Sequence, residues 1–290
     1  MKATLVTRFA AALLLTAGLG VLACSSSEEP DPGSPVAPTP TPNPPTEPVP
    51  PPPPRGGILA KLDCSPADFP SCGWGPWGLV EGNYSSVLQV GQGPHGQDAV
   101  QFTQARGPIR QYYMGWGTTT QGPEPAGTIR YIRVRIWIPG PAGSLNGNHG
   151  GWESKFLILG DGGNSAGRMI CAMRDNGRTI DTMSIECQRN IDGGDHSTGL
   201  IPLTLGTWHD LQIEARSGSA ASIAIWVDTN DYNRPTSRTT GNFSLETTNW
   251  RFLGVGFYVN VPRPSSQDLV VLRIADDVEF GSGFDPTWHR

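Results

Sequence analysis

Arg133, Arg135 and Trp137 stand at alternate positions, interleaved with Ile132, Val134, Ile136 and Ile138. A strand sends alternate side chains to opposite faces. Burying the four aliphatic residues therefore turns both arginines and the tryptophan the other way. Guanidinium groups grip carboxylates or sulfates through paired N–H donors, and an indole offers a broad apolar face. The trio would floor a groove for an acidic ligand, or else form a solvated convex face that serves solubility. The loop Asn146-Gly147-Asn148-His149-Gly150-Gly151-Trp152-Glu153 is a second candidate. Glycine-rich loops at sheet edges often carry ligand contacts. Trp152 is a candidate contact and His149 a candidate general base; the plainer alternative is a turn with an incidental histidine.

Two oxygen-rich runs, Asp228-Thr229-Asn230-Asp231-Tyr232-Asn233 and Asp276-Asp277, have the donor type that calcium selects. The first lacks the glycine and distal glutamate of an EF-hand loop, and Asp and Asn are also ordinary turn residues. A structural calcium at Asp276 and Asp277 is therefore weighed against simple turns. Tyr112, Tyr113 and Trp116 make an aromatic group at a strand end, either a ligand platform or core filling.

The elements that must position these residues are strands. Short apolar or alternating runs recur between Gly- and Pro-rich turns, and no stretch sustains a helical period. Strands are predicted over 58–62, 86–90, 99–104, 111–115, 130–138, 155–159, 168–174, 183–188, 208–215, 222–227, 252–259 and 270–274, with 277–280 closing the set. Asp175-Asn176-Gly177 is a hairpin signal between two of them. Many short strands with short loops specify an all-β sandwich or jelly roll of two antiparallel sheets. Residues 56–290 read as one such domain.

Ahead of it, residues 24–55 crowd prolines from Pro30 to Pro54. Proline fixes φ and removes a donor, so this segment is an extended spacer. At ~3 Å per residue it reaches on the order of 80–90 Å. Residues 1–23 carry Lys2, Arg8 and an apolar run too short for an ordinary membrane span. The ending Val21-Leu22-Ala23-Cys24 resembles the lipobox of a bacterial lipoprotein signal. That resemblance implies cleavage before Cys24, lipidation of Cys24 and a membrane anchor in the cell envelope. Ser25 resembles the sorting preference for the outer membrane. The formal charge of −5 falls two units further if Lys2 and Arg8 are removed. With no basic run, nucleic acid is excluded as a partner.

Setting Cys24 aside leaves Cys64, Cys72, Cys171 and Cys187, an even number that favours two disulfides in an exported chain. Three pairings are possible, and the simplest is local: Cys64 with Cys72 and Cys171 with Cys187. The latter two lie symmetrically about Thr179, as a hairpin centred there would need.

Three segments resemble the concanavalin A-like (legume-lectin/glucanase) jelly-roll superfamily. Gly206-Thr207-Trp208-His209-Asp210-Leu211 is similar to its "G-x-W-H" strand. Ile223-Ala224-Ile225-Trp226-Val227-Asp228 is similar to its "W-V-D/N" strand, and Ile274-Ala275-Asp276-Asp277-Val278 to its closing "D-D" strand. Among its polysaccharide-lyase-like members, Gly254-Val255-Gly256-Phe257-Tyr258 resembles the "K-x-G-x-Y" pattern, with Gly254 in place of the lysine. The resemblance implies an acid/base role for Tyr258; if the 130–138 strand is central on the concave sheet, Tyr258 is also a candidate neighbour of Arg133 and Arg135. The "Q-I-H" and "E-x-D-x-x-E" catalytic patterns are absent.

The leading expectation is a surface-anchored lipoprotein whose jelly roll binds polysaccharide through Arg133, Arg135, Trp137, Trp152 and Tyr258. The alternative is a lyase that cleaves a uronate-containing glycan by β-elimination, with His149, Tyr258, Arg133 and Arg135 in the site. A third is a structural envelope or adhesion protein.

Overall fold

Alternation of apolar and polar residues dominates the folded region, and every strand it marks pairs with antiparallel neighbours. The computed structural model describes residues 56–61, 65–67, 75–76, 84–104, 114–119, 125–140, 153–160, 167–174, 182–189, 196–239, 245, 252–259 and 269–289. In chain order the strands are β1 Ile58–Lys61, β2 Gly75–Pro76, β3 Tyr84–Gln89, β4 Ala99–Gln104, β5 Met114–Thr119, β6 Ile129–Trp137, β7 Glu153–Gly160 and β8 Met169–Arg174. They continue as β9 Thr182–Arg189, β10 Ile201–Thr204, β11 Trp208–Arg216, β12 Ser222–Val227, β13 Ser237–Arg238, β14 Phe252–Val259, β15 Leu269–Ala275 and β16 Glu279–Gly281. Among the described residues the only helical element is a 3-10 turn at Pro94–Gly96. The chain separates into units Met1–Pro48 and Val49–Arg290, and all described residues belong to the second.

The strands form two sheets, giving the all-β jelly-roll sandwich that the alternation predicted. The nine-stranded sheet runs β13-β12-β11-β6-β15-β4-β3, with β16 pairing both β1 and β6. The seven-stranded sheet runs β10-β9-β8-β7-β14-β5-β2. Between them lies one apolar core. The larger sheet contributes Val100, Phe102, Ile132, Val134, Ile136, Leu211, Ile213, Ile223, Ile225, Leu272 and Ile274. The smaller contributes Phe156, Leu157, Leu159, Met169, Met173, Met183, Ile185, Leu203 and Val255. Such period-2 burial is what fixes strand register, because a one-residue slip would expose the whole set.

Cys171 and Cys187 are direct register partners in β8 and β9 and are joined by a disulfide, with Cα atoms 4.0 Å apart. Both are fully buried among the core side chains. The local pairing read from their symmetry about Thr179 is the one present. Cys24, Cys64 and Cys72 lie outside the described residues.

Gly206 turns the chain from β10 into β11 with φ of 73°, a region costly for other residues, and its N–H donates to Ile138 O at 2.7 Å. This is the structural role of the glycine in the "G-x-W-H" segment.

Candidate functional site

β6 behaves as predicted on its core face: Ile132, Val134 and Ile136 are fully buried against the opposite sheet, as is Ile138 just beyond the strand. Its other face does not meet solvent. Arg133 and Arg135 are only 1% and 4% exposed, which corrects the expectation that they floor an open groove. Residues 282–289 cross this face as a strap, and the arginines are its fastening. Arg133 donates to Glu279 at 3.2 Å, to Gln212 at 3.3 Å and to the carbonyl of Gly283. Arg135 donates to Asp210 at 2.7 Å, to Asp277, and to Trp288 O at 2.8 Å. Gln212 exchanges two hydrogen bonds with the Asp285 backbone, at 2.8 and 3.0 Å. Asn230 does the same with His289, at 2.6 and 3.0 Å. Beyond them Phe284 closes a buried aromatic cluster with Tyr131, Trp226 and Tyr232. Strand alternation chose the face correctly but carries no information on what covers it.

The same network decides the calcium question. Asp277 Oδ1 is a buried oxygen with no hydrogen-bond partner among the described residues, which is the kind of atom a cation seeks. Yet Asp277 Oδ2 already faces the Arg135 guanidinium and the Gln97 amide. Calcium takes six to eight oxygens, and among the described residues no group of three acidic, His or Cys side chains could hold a metal. Asp277 belongs to the arginine network and does not fit a calcium site, while the Asp276 N–H donates to Asp98 O at 3.1 Å. Asp228 instead takes up His209. Its Oδ2 lies 2.6 Å from His209 Nδ1 and its Oδ1 accepts from Asp210 N–H at 2.8 Å, while His209 Nε2 is 2.9 Å from Thr204 O. Burial works against charge on His209, but the bonds to Asp228 and to the Thr204 carbonyl outweigh it, and its pKa is raised. Burial likewise opposes the Asp228 charge, and the His209 and backbone bonds outweigh that too, lowering its pKa.

The face of the seven-stranded sheet turned from the core carries a different set. On β7, Phe156 is an extra residue: Lys155 pairs with Ala172 and Leu157 with Cys171, so nothing on β8 faces Phe156. On the other side two residues of β14 pass Phe156, between the pairs Val255 with Leu157 and Tyr258 with Lys155. A bulge re-aims the neighbouring side chains of its strand. Here Phe156 and Leu157 both enter the core, and Lys155 is turned to the opposite face. One cross-strand row then reads Tyr258, Lys155, Ala172 and Glu186 over β14, β7, β8 and β9. Next to it, Arg174 is ion-paired with Glu186, and its register partners are Glu153 and Ser184. Lys155, Arg174 and Glu186 are half-buried. The row and the neighbouring Arg174 bring two cations, one carboxylate and the position of Tyr258 onto one sheet face.

Sequence reasoning named Tyr258 but missed Lys155, Arg174 and Glu186. The strict alternation Met183-Ser184-Ile185-Glu186-Cys187-Gln188 was a usable signal for Glu186. Lys155 was not findable by alternation, because the bulge shifts it by one position. The row contains neither arginine expected beside Tyr258; those sit in the other sheet. His149 and Trp152 lie outside the described residues. Trp137 is half-buried and stacks under Arg273, whose guanidinium carbon is 4.5 Å from the ring centroid.

No protein-family model matches the chain, and no curated protein matches it. Among solved structures, an endo-β-1,4-glucuronan lyase from the fungus Trichoderma reesei is similar over 80% of this chain and 97% of that one, at 14% identity and a TM-score of 0.46. The alginate lyase Aly36B is similar over 78% and 94%, at 14% identity and 0.41. The cellulose induced protein Cip1 is similar over 70% and 87%, at 15% identity and 0.43. At these identities and scores the likenesses assign neither family nor chemistry to this chain.

Proposed function

We propose that this chain is an envelope lipoprotein, anchored through Cys24, whose jelly roll recognises an acidic polysaccharide on the face of the seven-stranded sheet turned from the core. The observation that carries the reading is the bulge at Phe156, which sets Lys155 in one row with Tyr258, Ala172 and Glu186. An ammonium group on a sheet face, with an arginine two residues further along β8, suits a uronate carboxylate. The Pro-rich spacer supports a module held away from its anchor. The test is a glycan array spanning neutral, uronate and carboxyl-reduced polymers. Binding should be confined to the uronate polymers and weaken in Lys155→Ala. Equal binding to the carboxyl-reduced forms, or no binding to any polymer, would remove the reading and leave a structural envelope protein. Mass spectrometry of the mature N-terminus tests the anchor: an acylated Cys24 supports it, and a free thiol or an uncleaved signal defeats it.

A second reading, a polysaccharide lyase, is favoured by the direct register of Tyr258 with Lys155. In β-elimination a base takes the C5 proton, a cation stabilises the charge that develops on the carboxylate, and the C4–O bond breaks as its oxygen takes up a proton. Tyr258 would serve as base and acid, and Lys155 as the cation. Incubation with a uronate polymer should then generate the ultraviolet absorbance of an unsaturated product. Tyr258→Phe should abolish that signal while binding persists. Absence of the signal from the wild-type protein leaves the binding reading alone.

A further inference from the structure

Trp137 does not belong to the Lys155 row. It stands in a second row on the far side of the molecule. Across four neighbouring strands of the nine-stranded sheet, Trp208 of β11 pairs with Trp137 of β6, Trp137 with Arg273 of β15, and Arg273 with Gln101 of β4. Register partners share a face. That face is the one turned from the core, because Ile136, Ile138, Leu272, Ile274, Val100 and Phe102, which flank these residues in sequence, all pack inside. Trp208, Trp137, Arg273 and Gln101 are each half-buried, so the row forms a surface with one side supported.

Arg273 is the informative member. Its guanidinium carbon lies 4.5 Å from the Trp137 ring centroid, and its Nε donates to Gln101 Oε1 at 2.9 Å. Indole and amide together hold the fork flat and in one place. Arg133, Arg135 and Arg174 each meet a carboxylate. Among the described residues none pairs with Arg273. A guanidinium backed by one indole, with no counter-ion among the described residues and a second indole further along the row, is complementary to a ligand that brings both a carboxylate and an apolar ring face. The strap does not occupy the row: its Trp288 stops on Arg135, one step before Trp137 on the same face. Strands are ~4.8 Å apart, so Trp208 to Arg273 spans roughly 10 Å, about a disaccharide.

We propose that this row is a second, independent binding site for a uronate-containing oligosaccharide, on the sheet opposite the Lys155 row. A sugar ring stacks on Trp208, and the neighbouring carboxylate is held by the edge of the Arg273 fork, which Trp137 backs. Two sites on opposite faces would let one molecule link two strands of an acidic polysaccharide.

The experiment is calorimetric and fluorescence titration of the folded protein with a uronate tetrasaccharide, too short to reach both sheets. The wild-type protein should bind two equivalents with a change in tryptophan emission. Lys155→Ala should keep one equivalent and the emission change. Adding Arg273→Gln to it should weaken that remaining site by at least about tenfold, the scale of one charge-assisted pair, and Arg273→Lys should restore part of it. If Arg273→Gln lowers the melting temperature, Trp208→Leu, which keeps the guanidinium clamp, should show the same loss. The carboxyl-reduced tetrasaccharide should bind the second site as weakly as the Arg273→Gln variant does. A wild-type stoichiometry of one that Lys155→Ala abolishes overturns the second site and leaves the Lys155 site standing. Unchanged affinity in Arg273→Gln, or no binding to the wild-type protein, overturns it as well.

Discussion

Arg135, midway along β6, lies with its guanidinium carbon 3.9 Å from the ring centroid of Trp288 and donates to the carbonyl of that same residue at 2.8 Å. The contact joins positions 153 apart in the chain. It explains how a strand with two arginines on one face can be central in a sheet. The charge is buried, but two carboxylates, a carbonyl and an indole receive it.

Arg135→Ala would leave Asp210 and Asp277 buried without their cation. Stranding a buried charge costs about 3–5 kcal/mol. Urea denaturation should show a loss of that order, with earlier proteolysis within residues 282–289. A loss below about 1 kcal/mol would mean that the strap closes without the ion pairs. Exposed arginines on a binding surface would have given the opposite pattern, with lost affinity and an unchanged midpoint.

Phe284 is fully buried, with ring centroids 5.1 Å from Trp226, 5.4 Å from Tyr232 and 6.2 Å from Tyr131. Truncating a buried Phe to Ala costs about 3–5 kcal/mol. Phe284→Ala and Arg135→Ala release the same segment, so the double variant should lose less than the sum of the two. Strict additivity would show that the strap is two separate attachments.

The pair formed by His209 and Asp228 predicts a stability that depends on pH from both sides. The raised pKa of His209 contributes stability that is complete below its ordinary value of 6.5 and fades as pH rises through the folded value. The lowered pKa of Asp228 contributes stability present above its ordinary value of 3.8 and lost as pH falls through the folded value. The midpoint of denaturation should therefore be highest between 3.8 and 6.5. His209→Gln should flatten the alkaline flank. Asp228→Asn should flatten both, since it removes the partner that raises His209. A wild-type profile that keeps rising above 6.5 would contradict the assignment.

Replacing Cys171 and Cys187 together with Ala should cost about 3 kcal/mol, the loop-closure scale for a separation of 16 residues. Both sulfurs sit in the core, so cavity formation adds to the loss rather than offsetting it. Reductant should lower the wild-type midpoint and leave the double variant unmoved.

The legible part of the fold is the part that alternation can encode. Strands 99–104, 222–227 and 252–259 coincide with β4, β12 and β14, because nothing interrupts their period of two. The short strand β10 escaped, since Pro202 reads as a break, although an outer position tolerates it. The Cys171–Cys187 disulfide was legible from the even cysteine count, local pairing and the symmetry of the two about Thr179. The covered face of β6 was not: Arg133 and Arg135 were placed correctly on the strand, but their cover comes from residues 282–289, which carry no periodic signal. Lys155 was hidden by the Phe156 bulge, and Trp208 was visible only as part of a packing motif.

The order of strands in the nine-stranded sheet has a consequence for how the chain is made. β15 lies between β6 and β4, and β16 bridges β6 to β1. Until residues 269–281 exist, β4 and β6 each lack a neighbour and β1 has nothing to pair with. Contacts of such long range make folding slow and late. A chain synthesised from its N-terminus thus carries an unfinished sheet until residues 269–281 are added. That delay leaves the edges of β4 and β6 open for most of synthesis, where an unpaired strand can recruit another chain.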